Sequence, residues 1–439
     1  MPLFLKSKMV LVNQSIQLCT QQIASLLLYQ SVFSTEIGRD FLALLDTLEN
    51  EREPKICWQA YGNWFKNLAS IAISWQDYLI VQILQNDNPF SQQVQKKSLA
   101  DLPPSLVAAT KQDLHLLQNI YNYTPELISQ WLQTVSGNSV VPIAWQTENQ
   151  VKTFLDRYED WTEALAELAD YYRQNGTGIF VKYNAFVWQE GNLIGIAYPD
   201  PVDLNSIVSY EEQKKALIKN TEFLLAEFSA LHVLLYGSRG SGKSSLVKGL
   251  LQKYSQQGLR LIEVNKSQLK DLPKIVDRLR DLPQKFIIFV DDLSFEEDDD
   301  AFKALKVALE GSLTAKPQNV VVYATSNRRH LIREFFSDRP RPSERDEIHA
   351  LDTTQEKLSF SDRFGLTLTF EPANQERYLT IVRHLAAEAG INLDRDDLEF
   401  RAKQWATRHN GRSGRTARQF IDFLQAELAL AIQNLKSKI

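Results

Sequence analysis

The chain has 439 residues, 44% of them hydrophobic and 23% charged, ordinary fractions for a folded protein long enough for two or three domains. Its formal net charge of −5, from 49 Lys and Arg against 54 Asp and Glu, argues against a histone-like nucleic-acid binder. Extended disorder, a collagen-like rod and a disulfide scaffold are excluded, and two cysteines, Cys19 and Cys57, cannot build a structural zinc site between them.

A reduced, cytoplasmic chain is the expectation. The first residues carry no long apolar core and no small-residue cleavage site. The most apolar long stretch, 65–84, is interrupted by Lys66, Asn67, Gln76 and Asp77, so no membrane span is expected.

Residues 1–178 read as an all-α N-terminal domain. Ile16, Cys19, Ile23, Leu26 and Leu27 recur at helical spacing. So do Phe65, Leu68, Ala72, Trp75 and Leu79, and further on Phe154, Tyr158, Trp161, Leu165, Leu168 and Tyr172. Thr124-Pro125 predicts a cap followed by a proline in the first turn.

After Asn175-Gly176-Thr177-Gly178, a β-branched and aromatic run to Trp188, a turn at Glu190-Gly191-Asn192 and a second run, Leu193 to Ala197, predict a hairpin. Residues 179–201 are read as a hairpin connecting two domains. From 202 onward strands and helices alternate, which predicts a parallel sheet covered by helices. Strands are expected at 232–236, 260–264, 286–290, 320–325 and 366–370, with helices over 244–254 and 302–313. Residues 202–373 form the expected α/β core, and 374–439 a helical C-terminal segment. That segment is basic, with eight Lys or Arg against two acids over 401–439.

The strongest chemical signal is Gly237-Ser238-Arg239-Gly240-Ser241-Gly242-Lys243-Ser244, which fits G-x-x-x-x-G-K-[ST] in full. Glycines let backbone N–H groups face phosphate oxygens, and the helix that follows points its positive end at the same place. Gly237 to Ser245 are the expected nucleotide-binding residues, with Lys243 on the terminal phosphates and Ser244 as a Mg²⁺ ligand. The run Phe286 to Val290 ends in Asp291-Asp292, where Asp291 is the expected metal acid and Asp292 the acid that orients or activates water. Asn327, at the end of the next strand, is an amide placed to hold that water. Glu296 to Asp300 read as a solvated helix start. The six histidines show no metal-ligand spacing.

In this order, with Ser361-Asp362-Arg363-Phe364 and Gly414-Arg415-Thr416-Ala417-Arg418 following, the motifs resemble those of the AAA+ ATPases. The runs NVVVYATSNRRHLI and EKLSFSDRFGL resemble an uncharacterised family of predicted AAA+ ATPases, over roughly residues 180–430. The resemblance implies a P-loop parallel sheet flanked by helices with a C-terminal helical lid. It implies ATP and Mg²⁺ as cofactors, and a homo-oligomer, ring or arc. Asn327 is similar to sensor 1, Arg363 to the arginine finger and Arg415 to sensor 2, while Val208, in Ile207-Val208-Ser209-Tyr210-Glu211, lies in the segment that covers adenine.

Two departures bear on function. Asp292 stands where many AAA+ proteins have glutamate, one methylene longer, which implies slow turnover. Residues 328–357 form a long Arg-rich segment before Arg363, readable as a solvated loop or as an insertion that contacts a partner or nucleic acid. Three functions are consistent with this pattern. One is an ATPase remodelling a protein client gripped by the N-terminal domain. The others are a DNA-linked loader, and a regulatory switch that hydrolyses ATP slowly.

Overall fold

The computed structural model describes residues 3–51, 53–137, 139–147, 151–294, 304–306, 309, 317–327, 363–409 and 411–436. The chain divides into two compact units, Met1–Lys182 and Tyr183–Ile439. Among the described residues no helix is long and apolar enough to cross a membrane.

The first unit is helical and is built on an aromatic core. Phe41 lies 4.1 Å from Trp75, and Trp64 meets Trp75 edge-on at 5.7 Å. Asp113 is fully buried and accepts the backbone N–H groups of Leu27, Leu28 and Tyr29, which fixes the turn after the first helix. The expected cap at Thr124 is present, its hydroxyl accepting from Leu127 N at 3.3 Å at the start of Pro125–Ser136.

Two apolar stripes differ from the sequence reading. The Phe65–Leu79 stripe is split between Pro54–Ser70 and Trp75–Leu84, because Ala72 turns left-handed at φ +52° and Ser74 caps a new helix. The Phe154–Tyr172 stripe is a short 3₁₀ turn, Phe154–Arg157, and a helix, Leu165–Asn175. Between them the Asp160 carboxylate accepts the Thr162 N–H, a local bond that competes with helix.

Among its described residues the second unit holds one seven-stranded sheet. Its strands are β1 (Ala185–Gln189), β2 (Asn192–Ile196), β3 (Val233–Gly237), β4 (Leu259–Glu263), β5 (Lys285–Val290), β6 (Val320–Ser326) and β7 (Leu366–Phe370). They lie in the order β2-β1-β4-β5-β6-β3-β7. All pairs are parallel except β1 with β2. The five core strands match the expected ones within a residue or so. This is the helix-flanked parallel sheet that the AAA+ resemblance implies.

The hairpin is corrected in one respect. Rather than standing between domains, it is the edge of this sheet, because β1 pairs with β4. Phe186 and Trp188 are fully buried, so β1 needs cover on its inner face, and the Trp188 indole donates to Asp271 at 3.0 Å. Ile179–Lys182, read as part of the first strand, is a helical turn.

Strands β5 and β6 are buried almost throughout, as central parallel strands must be. The helix expected over 302–313 is described only at 304–306 and 309, where it is helical. Glu296 to Asp300 and the Arg-rich 328–357 segment lie outside the described residues. Three C-terminal helices, Gln375–Glu388, Arg395–Arg408 and Gly414–Lys436, pack around a core that includes Tyr378, Val382, Ala402 and Ile421.

Candidate nucleotide site

Strand β3 runs straight into the glycine-rich loop. Gly237 ends it at φ +136°, and a Cβ there would stand 2.1 Å from the Phe370 carbonyl oxygen on β7, so no side chain fits. The loop closes with Gly242, and Lys243 opens the helix Lys243–Tyr254. That leaves the first N–H groups of the helix at the mouth of a cavity of about 700 Å³.

Lys243 is buried, and its Nζ donates to the carbonyls of Gly237 at 3.0 Å and Ser238 at 2.8 Å. It also reaches Asn327 Oδ1 at 3.4 Å. Burial pulls its pKa down, opposed by the nearby charges of Asp291 and Asp292. Gly237 and Ser238 therefore serve the site through their carbonyls, while Arg239 to Ser245 line the cavity itself.

The β5 acids sit directly across. Ser244 Oγ donates to Asp291 Oδ1 at 2.7 Å. The Thr325 hydroxyl donates to the same oxygen. Asp292 is left-handed at φ +50°, uncommon for any residue but glycine, and its N–H is shared between Asp291 Oδ1 at 3.1 Å and Thr325 Oγ1 at 2.9 Å. Asn327 Nδ2 donates to Asp292 Oδ1 at 2.5 Å. Strand register produces this cluster: Val290 pairs with Ala324, and Leu235 with Thr325, so the ends of β3, β5 and β6 meet.

The far wall is the C-terminal helical segment. Arg415 N donates to the Gly240 carbonyl at 3.2 Å, and a Cβ on Gly240 would lie 3.2 Å from the Arg415 Cβ and 2.9 Å from Ser413 Oγ. Arg415, Arg418 and Gln419 all line the cavity. Arg412 stands three residues before Arg415 in the chain but not on its helix. The helix begins only at Gly414, and Arg412 instead bonds Gln375 Oε1 at 3.1 Å.

Ile207, Val208, Ile381 and Leu385 also line the cavity and supply an apolar slot. Lys214 Nζ donates to the Ile207 carbonyl at 3.2 Å and Ser206 Oγ to Glu388 Oε1 at 2.9 Å, tying the covering segment at both sides. Ile381 and Leu385, four residues apart on one helix, were missed in the sequence, as were Thr325 and Arg418 as cavity residues. Arg363, by contrast, stands just before β7 and does not line this cavity.

The residues fit the cofactors. The loop and helix N-terminus suit a chain of phosphates, the slot a flat base, and the Ser244 hydroxyl with the Asp291 carboxylate are the hard oxygen donors that Mg²⁺ takes.

A family model described as "Protein of unknown function (DUF815)" matches residues 181–428. The chain belongs to the DUF815 family. The DUF815 match takes in every residue of the cavity, from Ser206 to Gln419, and leaves out the helical unit before it. No curated protein matches the chain by sequence. Among solved structures, this DUF815 chain is similar to Thermotoga maritima RuvB, described as a Holliday junction branch migration motor, at 16% identity and a TM-score of 0.31, over 51% of this chain and 72% of that one. A point mutant of the same Thermotoga maritima protein is similar at 15% identity and a TM-score of 0.33, over 51% and 72%.

Proposed function

We propose that this DUF815 protein is a Mg²⁺-dependent ATPase whose nucleotide state moves a C-terminal lid, and that it uses that movement to remodel a protein partner. The observation that carries the reading is the bond from Arg415 N to the Gly240 carbonyl. It ties the first turn of the last helix to the phosphate loop, so a change at the phosphates is felt by the lid. When bound, ATP and its Mg²⁺ bring the scissile anhydride and a divalent charge to the loop. Lys243 and the loop N–H groups bind and orient the phosphates, Ser244 and Asp291 hold the cation, and Asp292 with Asn327 orients water.

Arg363 stands outside its own chain's cavity, which supports a ring or arc in which it reaches a neighbour's. The helical unit is our candidate for gripping the client, in the cytoplasm. Nucleic acid is a weaker partner on this geometry. Arg401 pairs with Asp397 and Glu427, Lys403 with Glu399, and Arg415 and Arg418 line the cavity, so four of the eight basic residues over 401–439 are engaged within the lid.

The test is ATPase rate beside nucleotide affinity for the full chain and Lys243→Ala, followed by capture of bound proteins on Asp292→Asn with ATP. No turnover and no affinity in the wild type would remove the proposal.

A second reading, a slow nucleotide switch, is favoured by the bond that engages the short Asp292 side chain with Asn327. Asp292→Glu separates the two readings. A large rise in turnover favours the switch, in which reach is limiting, and no rise favours the remodelling enzyme.

A further inference from the structure

Strand β6 is apolar from Val320 to Ala324, and every one of its residues is buried. Thr325 interrupts that run at 2% exposure, where valine has the same shape and a buried hydroxyl is costly unless it is bonded. It is bonded three ways to one short turn. Its carbonyl accepts the Leu293 N–H at 2.7 Å. Its hydroxyl donates to Asp291 Oδ1 and accepts the Asp292 N–H at 2.9 Å.

The single hydroxyl proton is committed to Asp291, which leaves a lone pair for Asp292. One oxygen atom therefore holds both acids at once. That hold matters for Asp292, because its backbone sits in the left-handed region, which aspartate tolerates better than most residues but still at a cost. Asp291 Oδ1 takes hydrogens from Ser244, Thr325 and Asp292, and none of these bonds uses Oδ2. Ser244 is the hydroxyl that a cation at Asp291 would recruit, whereas Thr325 has no such second duty.

We propose that Thr325 is a positioning residue that couples cation binding at Asp291 to the orientation of Asp292, the acid assigned to water. The inference rests on reading the cavity as a Mg²⁺–ATP site. Thr325→Val keeps volume and β-branching and removes the hydroxyl, and Thr325→Ser restores the hydroxyl alone.

The experiment follows thermal unfolding of the full chain with ADP while Mg²⁺ is titrated, beside kcat and KM for ATP at saturating Mg²⁺. In Thr325→Val the Mg²⁺ concentration giving half of the ADP-dependent stabilisation should rise, and kcat should fall, each by about 10-fold or more, as for groups that orient metal ligands. KM should stay within about 3-fold, since binding by Lys243 and the loop is untouched. Thr325→Ser should sit near the wild type in both readouts. Thr325→Val with wild-type Mg²⁺ dependence and kcat would overturn the coupling, as would a Thr325→Ser variant as defective as Thr325→Val. A wild type that binds ADP with Mg²⁺ while Thr325→Val behaves identically sinks only the role of Thr325. A wild type with no Mg²⁺–ADP stabilisation sinks the nucleotide-site reading and this inference together.

Discussion

The Asn327 side chain lies between an acid and a base, donating through Nδ2 to Asp292 at 2.5 Å and accepting through Oδ1 from Lys243 at 3.4 Å. Those partners fix the amide's orientation, since a lysine can only donate and a carboxylate only accept. Asn327 therefore touches both the lysine proposed to bind phosphate and the acid proposed to orient water. Asn327→Ala should lower kcat by about 10- to 100-fold, in line with loss of one preorganised polar contact, with KM for ATP changed by no more than about 3-fold. Steady-state kinetics checks this, and an effect confined to KM would place Asn327 on the nucleotide alone.

Asn327 was legible in the sequence by way of its strand. The five core strands could be read because buried parallel strands are apolar throughout, and the loop between Gly237 and Ser244 because its chemistry needs fixed spacing. Asn327 followed as a polar residue at the end of such a strand. Thr325 was not legible as a site residue: threonine is common in strands, and only register shows that its hydroxyl meets Asp291. Ile381 and Leu385 were hidden for a similar reason. An apolar pair at helical spacing reads as core, and only the fold shows that these two line the cavity. The hairpin's membership of the sheet was also invisible, since a strand's sequence does not name its neighbour.

Asp292→Asn should leave ATP bound and stop turnover. The change preserves size and removes the charge assigned to water, a role worth about 10²- to 10⁴-fold in rate for general acid–base groups. It should keep the Asn327 contact, because the new amide's Oδ1 can still accept from Nδ2. Calorimetry with ATP alongside the hydrolysis rate separates the effects. Unchanged turnover would remove Asp292 from the chemistry.

Lys243→Ala should lose at least about 10-fold in ATP affinity, the scale of charge-assisted hydrogen bonds. In the free protein it deletes three bonds, to Gly237, Ser238 and Asn327, so the loop loses an internal tie as well. The helix and sheet keep their own cores, and cooperative thermal unfolding should persist. Equal ATP affinity in the two proteins would end the phosphate-loop assignment.

Arg363 should act across a subunit boundary, because it does not line the cavity of its own chain. An arginine supplied to a phosphoryl-transfer site is worth about 10³- to 10⁵-fold in the GTPase precedent. Arg363→Ala and Lys243→Ala subunits should each be inactive alone and partly active when mixed, at interfaces pairing an intact loop with an intact arginine. A strictly monomeric protein with concentration-independent ATPase activity would contradict this.

The two arginines of the last helix should behave alike, and neither should behave as a nucleic-acid contact. Arg415 and Arg418 are three residues apart on Gly414–Lys436, so they share a face, and that face is the cavity wall. Arg415 also anchors its helix through its backbone to Gly240, a bond that substitution of the side chain leaves intact. Arg415→Ala and Arg418→Ala should therefore each lower turnover without DNA present. Any weak binding of DNA should keep its salt dependence in both variants, because that slope counts phosphate contacts and both side chains are assigned here to the cavity. Arg412, bonded to Gln375 outside the cavity, is the control: Arg412→Ala should leave turnover unchanged. A normal ATPase rate in Arg418→Ala, together with a flattened salt slope for DNA, would return that arginine to the surface and revive the DNA-linked reading.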